Sequence, residues 1–199
     1  TLGSVALALT FSRSAIVVGA MGIGIAYYVL RNKKEFSVFS LIPYAIPLIF
    51  LTVLLVITID GNSESVVVRQ QLNNAAIKIW QSFPLIGAGL GNFLVVLPEV
   101  LPSRAIYFLQ PVHNIYLLVL AEAGLVGTLF VGWFLLSIIR NYELEIRNYG
   151  KEKRRALFMI HTSLFIILLL GLVDHYPLTV QQGQLLVTVL LSLSVIRDS

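Results

Sequence analysis

The sequence has no cysteine and very little charge, and both shortages narrow what the protein can be. Without a thiol there is no disulfide framework, no thiol nucleophile and no thiolate metal site. Only 12% of the 199 residues are charged whereas 57% are hydrophobic, which is too apolar for a soluble domain with a polar shell. Water therefore cannot be the main solvent of this chain.

Aspartate is scarce as well, and the common nucleotide and hydrolase motifs are missing. Aspartate occurs only at Asp60, Asp174 and Asp198, so the sequence has no Asp-x-Asp pair to hold a divalent cation on a nucleotide diphosphate. It also lacks the P-loop, zinc-protease and serine-hydrolase motifs. We therefore predict neither metal ligands nor a cofactor.

Long apolar runs make up most of the chain, and its mean hydropathy is +0.88. Roughly 20 helical residues cross a bilayer core about 30 Å thick, and five runs approach or exceed that length. They are residues 2–30, 38–59, 112–139, 156–173 and 180–196. We predict an all-α, polytopic transmembrane helix bundle of about five spans that forms a single membrane domain over residues 1–199. Because Thr1 already lies inside an apolar run, we expect the chain to be the C-terminal part of a larger protein.

Basic residues fall in the gaps after alternate spans, which predicts the orientation. Ten lysines and arginines follow the first, third and fifth spans: Arg31, Lys33, Lys34, Arg140, Arg147, Lys151, Lys153, Arg154, Arg155 and Arg197. The positive-inside rule assigns these gaps to the cytoplasm. The one long loop, residues 60–112, and the turn at residues 174–177 are then expected to face outward.

Three ionisable residues are predicted to lie at one depth near the outer edge of the membrane. Arg13 and Glu122 each lie 18 residues before the arginine that ends their span, which places them roughly 27 Å above the cytoplasmic boundary. Asp174 reaches about the same height from the other direction. Charges at such depth normally face protein or water and pair with a partner. Two interpretations stay open: Arg13 and Glu122 form a buried ion pair, or they line a polar cavity for an anionic substrate.

The outward loop is predicted to contain one amphipathic helix over about residues 65–83. A turn signal at residues 60–63 precedes it, and Leu72, Ala76, Trp80 and Phe83 then recur on one face. Arg69 lies on this apolar face, so its guanidinium should point toward the membrane domain. The alternative is an arginine whose stem merely covers apolar surface.

A glycine-rich segment, residues 83–93, follows this helix. No strand precedes it and no βαβ unit surrounds it, so it does not predict a dinucleotide site. Successive backbone N–H groups at Gly87, Gly89 and Gly91 can hold an anion such as a diphosphate. A tight re-entry of the chain explains the same glycines at least as well.

His113 opens the third span and is predicted to lie at the water interface. Its position, roughly 13 Å above Glu122 by helical rise, allows proton exchange at neutral pH. A histidine at such a place is more often a capping or packing residue than a catalyst. His161, well inside the fourth span, is interpreted as structural.

Four blocks of residues together resemble the O-antigen ligase and polymerase family of membrane glycosyltransferases. They are Thr10-Phe11-Ser12-Arg13-Ser14; Arg69 with Trp80, Pro84 and residues 87–93; His113-Asn114 with Tyr116, Leu117, Glu122, Gly124 and Gly127; and, more loosely, Asp174-His175-Tyr176 with Gln182 and Gly183. The resemblance covers nearly the whole chain but only the C-terminal half of the family's usual length.

The resemblance implies a metal-independent, inverting transfer of a glycan from undecaprenyl diphosphate to an acceptor hydroxyl. The reaction is expected on the outer, periplasmic or extracellular face of the bacterial cytoplasmic membrane. Arg13 and Arg69 would neutralise the diphosphate leaving group, and His113 would position or deprotonate the acceptor. The further predicted substrate-binding residues are Gly87, Gly89, Gly91, Asn92, Arg104, Asn114, Glu122, Asp174 and His175.

The expected partners are a lipid-linked glycan donor, a glycolipid, glycan or protein acceptor, and membrane lipids, but no nucleic acid. Three alternatives stay open at this point. The first is a polysaccharide polymerase or a protein O-oligosaccharyltransferase of the same family. The second is a small-anion transporter in which Arg13 and Glu122 line the path, and the third is a purely structural membrane scaffold.

Overall fold

The computed structural model describes residues 64–101 and 110–195, together with Gly24, and every regular element in these ranges is helical. The helices are α1 (Glu64–Ser82), α2 (Phe93–Val100), α3 (Ile115–Asn148), α4 (Lys151–Leu170), α5 (Tyr176–Thr179) and α6 (Gln181–Val195). The predicted all-α class is thus confirmed over the described residues. The helix predicted at about 65–83 is observed as α1.

Among the described residues, one helix is long and apolar enough to cross a membrane. This stretch is Ile115–Tyr142 within α3, and it corresponds to the predicted span 112–139. The fourth predicted span falls on α4, which begins with five consecutive charged residues, and the fifth falls on α6, a shorter apolar helix. The predicted spans 2–30 and 38–59 lie outside the described residues, so the arrangement of five spans stays a prediction.

The chain divides into two compact units. The described part of one unit comprises residues 64–101, residues 110–137 and Gly171–Leu186, and that of the other comprises Gly24, Ile138–Leu170 and residues 187–195. The first unit holds every described residue that the sequence analysis placed in a functional site.

The core of the first unit forms where α1 and α2 pack with the start of α3. Leu72, Ala75, Ala76 and Ile79 are buried at helical spacing on one face of α1. They pack in one cluster with these residues of the neighbouring segments: Phe93, Leu97, Val112, Leu118 and Ala121. Burying each large aliphatic side chain contributes about 1.5–3 kcal/mol.

The buried face of α1 differs slightly from the predicted face. Leu72 and Ala76 are buried as expected, but Trp80 is half-buried and Phe83 is 43% exposed. The difference arises because α1 ends at Ser82, one residue before Phe83, so Phe83 belongs to the following turn. Arg69 lies one turn before Leu72, but its side chain is exposed, so the direction of its guanidinium toward the membrane domain stays a prediction.

Candidate functional site

Asn114 joins the start of α3 to the turn between α4 and α5. Its Oδ1 accepts hydrogen bonds from the backbone N–H groups of Tyr116 (2.9 Å) and Leu117 (3.0 Å), which caps α3. Its Nδ2 donates to the carbonyl of Leu172 (3.1 Å), and the N–H of Ile115 donates to the carbonyl of Gly171 (2.8 Å). The polar residue after His113 therefore fixes the turn that carries Asp174 and His175.

His113, Asp174 and His175 consequently lie together. The imidazole centroids of His113 and His175 are 4.9 Å apart with the rings tilted by 36°. One nitrogen of each histidine and one carboxylate oxygen of Asp174 all lie within 4.8 Å of one another. His113 is half-buried, whereas His175 is only 7% exposed. Asp174 and His175 thus lie beside His113, although they are 61 and 62 positions away from it in the sequence.

His175 is held in one orientation by residues of its own turn. Its Nδ1 forms a hydrogen bond with Oγ1 of Thr179, and that hydroxyl donates to the carbonyl of His175 (3.1 Å). The ring of Tyr176 meets the imidazole edge-on at 4.8 Å. Oδ1 of Asp174 accepts the backbone N–H of Tyr176 (3.3 Å), so the carboxylate is also anchored to this turn.

Burial favours the neutral form of both imidazoles. Burial lowers the pKa of His113 below its ordinary value, the charges of Arg69 and His175 lower it further, and Asp174 acts in the opposite direction. Burial is also the main cause that lowers the pKa of His175, where Asp174 raises it and Arg69 lowers it. His113 precedes the apolar stretch of α3 and lies outside it. A neutral imidazole at this place can accept a proton.

Arg69 belongs to the same site by its charge. Its side chain is exposed on α1, yet its positive charge acts on both His113 and His175. The structure therefore brings together three of the predicted site residues, namely His113, Asp174 and His175, and Arg69 is near enough for its charge to lower the pKa of both histidines. Predicted residues Arg13 and Arg104 lie outside the described residues.

The glycine-rich segment inserts into α3 through its backbone. Gly124 has φ 65° and ψ −168°, which interrupts the helix. The helix bonds that would join Leu125 to Ala121 and Val126 to Glu122 are replaced by bonds to residues 84–89. The four replacement bonds are Ala88 N to Ala121 O (2.9 Å), Gly89 N to Glu122 O (2.9 Å), Leu125 N to Pro84 O (2.9 Å) and Val126 N to Leu85 O (3.0 Å).

Gly87 and Gly124 make this close approach possible. A Cβ added to either residue would lie within 3.0 Å of backbone atoms on the other segment, closer than Cβ atoms essentially ever come. The N–H of Gly87 donates to Phe83 and that of Gly89 donates to Glu122, so both groups are already engaged within the protein. The segment is therefore a tight re-entry of the chain, which was the second explanation of these glycines. Contact of Gly87, Gly89 or Gly91 with substrate stays a prediction.

Glu122 holds the C-terminal end of the glycine-rich segment. Its Oε1 accepts the N–H of Phe93 (3.1 Å) at the start of α2, where a carboxylate also complements the helix dipole. Asn92 donates from Nδ2 to the carbonyl of Ala88 (3.0 Å). Glu122 and Asn92 thus hold the segment in place, and their predicted contact with substrate is untested, as is pairing of Glu122 with Arg13.

Comparison with known proteins decides the family. The O-antigen ligase family model matches residues 1–132, about two thirds of the chain. The chain belongs to the O-antigen ligase family. No curated protein and no solved structure matches it. Membership assigns the chain to glycosyltransferases of the O-antigen ligase and polymerase type, which are membrane-integral in bacteria and use lipid-linked glycan donors and glycan acceptors.

The match to the O-antigen ligase family ends before the turn that carries Asp174 and His175. It includes Arg69, the glycine-rich segment and His113, but residues beyond 132 are outside it. The sequence analysis named Asp174 and His175 in one block and His113 in another, and it did not predict that His113 and His175 lie side by side. It missed Thr179 altogether, although a threonine four residues after a histidine lies within reach of its ring in a helical turn.

Asn114 offers a test of how this O-antigen ligase family member builds its site. Asn114→Ala should lower stability by about 0.5–2 kcal/mol, because it removes the cap of α3, and it should also free the turn at Leu172. Asn114→Asp keeps an oxygen for the cap but loses the donor to Leu172. We therefore expect the aspartate variant to keep most of the stability while exposing residues 171–175 to faster hydrogen exchange. Equal exchange in all three proteins would contradict this role of Asn114.

Proposed function

We propose that this protein transfers a glycan from an undecaprenyl-diphosphate carrier to an acceptor hydroxyl on the outer face of the bacterial cytoplasmic membrane. The observation that carries the proposal is the placement of His113 beside His175 and just before the apolar stretch of α3, where burial and the charge of Arg69 lower the pKa of its imidazole. A base and a cation at a membrane boundary suit a lipid-anchored diphosphate and a polar acceptor. Family membership supports the same class of donor.

In the proposed reaction, His113 accepts the proton of the acceptor hydroxyl as its oxygen attacks the anomeric carbon. The new carbon–oxygen bond forms on the face opposite the bond that breaks, so the configuration inverts. The electron pair of the broken bond leaves with the diphosphate. Negative charge therefore grows on the leaving group, where a fixed guanidinium such as that of Arg69 stabilises it. No step calls on a metal ion.

Arg69 and Lys78 provide a matched pair for testing this proposal. Both are exposed cations on α1, but only Arg69 acts on the two histidines. We expect Arg69→Ala to lower the rate of glycan transfer by roughly 10²-fold or more, since it removes charge stabilisation of the leaving group, whereas Lys78→Ala should retain transfer. The measurement is modification of acceptors by the complete protein supplied with a polyprenyl-diphosphate glycan.

Three outcomes of this assay separate the alternatives. The acceptor that becomes modified, whether glycolipid, growing glycan or protein, distinguishes ligase, polymerase and protein-glycosylating branches. Anion flux in proteoliposomes that contain no lipid-linked sugar would favour a transporter instead. Undiminished transfer by a folded Arg69→Ala variant would overturn the role given to Arg69.

A further inference from the structure

His113, Asp174 and His175 have the composition of a transition-metal site as well as that of an acid–base site. They supply two imidazole nitrogens and one carboxylate oxygen, all within 4.8 Å of one another. Metal–ligand bonds of about 2.0–2.2 Å place neighbouring tetrahedral ligands about 3.4 Å apart. Side-chain rotations that bring the three ligand atoms about 1.4 Å closer would therefore complete three positions of a coordination sphere and leave the others open.

The hydrogen bonds around His175 put its ring in the form that binds a metal. With the hydroxyl of Thr179 donating to the carbonyl of His175, its oxygen accepts from Nδ1 of the imidazole. Nδ1 therefore carries the proton, and Nε2 presents a lone pair. Histidines that bind a metal through one nitrogen usually donate a hydrogen bond from the other nitrogen, which fixes the tautomer and the orientation of the ring.

His113 contributes a second, independent observation. Its Nδ1 is buried and has no hydrogen-bond partner among the residues that the structure describes. Buried nitrogens of this kind are rare because the lost hydrogen bond is costly, so each one calls for an explanation. A ligand at the cluster that engages the His113 ring would provide one.

The surrounding charges select the kind of ion. Arg69 repels any cation and the single carboxylate of Asp174 offsets it, so net charge does not draw ions into the cluster. Binding must then come from the imidazole nitrogens, which suit zinc, cobalt and nickel, whereas magnesium and calcium prefer several oxygen ligands. Removing the Arg69 charge should strengthen binding of any cation.

We propose that His113, Asp174 and His175 form a binding site for a divalent transition-metal ion such as Zn²⁺, and that occupancy of this site inhibits the enzyme. The inhibition rests on the proposed function, because the ion would occupy the histidine that accepts the proton of the acceptor. Binding of the ion does not depend on that function.

The direct test is titration of the complete, chelator-treated protein with Co²⁺, whose visible absorption reports coordination by nitrogen and oxygen. We expect one saturable site that excess Mg²⁺ does not displace. Thr179→Val should weaken Co²⁺ binding about 10- to 100-fold by removing the support of His175. Arg69→Ala should strengthen it. His161→Ala, which alters the histidine outside this cluster, should leave the affinity unchanged.

His175→Ala should abolish the Co²⁺ signal, but His175 is buried and this variant must first be shown to fold. Two other measurements therefore decide whether the cluster binds the metal. One is the affinity of the Thr179→Val variant, and the other is the number of imidazole ligands found by X-ray absorption of the wild-type complex. Absence of a saturable signal in folded wild-type protein would overturn the proposal. Equal affinity in wild-type and Thr179→Val proteins, or fewer than two imidazoles on the metal, would overturn it too.

An activity measurement distinguishes failure of this inference from failure of the proposed function. Zn²⁺ should inhibit glycan transfer over the concentration range in which it displaces Co²⁺, and a chelator should restore the rate. Saturable binding without any transfer activity would refute the proposed function and leave the metal site standing. Active transfer that Zn²⁺ does not inhibit, in a protein that binds no Co²⁺, would refute the metal site and leave the function standing.

Discussion

Replacing His113 with glutamine in the complete protein is expected to reduce glycan transfer by about 10²- to 10⁴-fold, the usual contribution of a general base. Glutamine keeps a polar side chain of similar length but cannot accept and release a proton at neutral pH. The reduction should appear in the turnover rate measured with a saturating polyprenyl-diphosphate glycan. Donor binding should change less, because Arg69 remains.

His161→Gln is the matched control for this experiment. His161 lies on α4, where its Nδ1 contacts the carbonyl of Leu157 (2.9 Å) and its ring centroid lies 4.3 Å from that of Tyr142. The same chemical change is thus made at a histidine outside the candidate site. If both variants fold and transfer glycan at the wild-type rate, His113 is not the base.

Replacing Gly124 with alanine is expected to destabilise the protein by about 2 to 6 kcal/mol. Its backbone conformation is available almost only to glycine, which accounts for about 1–3 kcal/mol. The added Cβ would also lie within 3.0 Å of Leu85 and Gly87, and overpacking of this kind costs a further 1–3 kcal/mol or so. Thermal unfolding in detergent or lipid nanodiscs measures the effect.

Gly132→Ala is the control on the same helix. A Cβ at Gly132 meets no atom of the described residues within 4 Å, so alanine there should be neutral or stabilise α3 by up to about 1 kcal/mol. Gly87→Ala should behave like Gly124→Ala, because its Cβ would meet the same contact from the other side. Similar unfolding temperatures for the variants at Gly124 and Gly132 would contradict the interlocked geometry.

Local sequence patterns predicted the helices of this protein better than they predicted the contacts between the helices. Turn signals and helical phase placed α1 within one residue at each end. Hydropathy located the apolar stretch of α3 and placed His113 at its start, whereas the observed stretch begins two residues after His113, at Ile115. These features depend on neighbours in the sequence, so the sequence contains enough information to predict them.

Features that depend on distant partners were not predictable in this way. An apolar run with glycines at 124, 127 and 132 indicates a continuous span, and nothing local indicates that only Gly124 breaks it. The break exists because residues 84–89 supply the missing hydrogen bonds. Likewise, the pairing of His113 with His175 depends on the contacts of Asn114 with the turn at Leu172.

The insertion of residues 84–89 into α3 also bears on how the protein is made. Without this segment, the broken helix would carry four unpartnered backbone groups, at Ala121, Glu122, Leu125 and Val126, and such groups cost several kcal/mol each in hydrocarbon. The segment precedes α3 in the chain, so the ribosome delivers it first. α3 can therefore settle into the bilayer with its replacement partners already synthesised, and a circular permutant that places them after α3 should insert less efficiently.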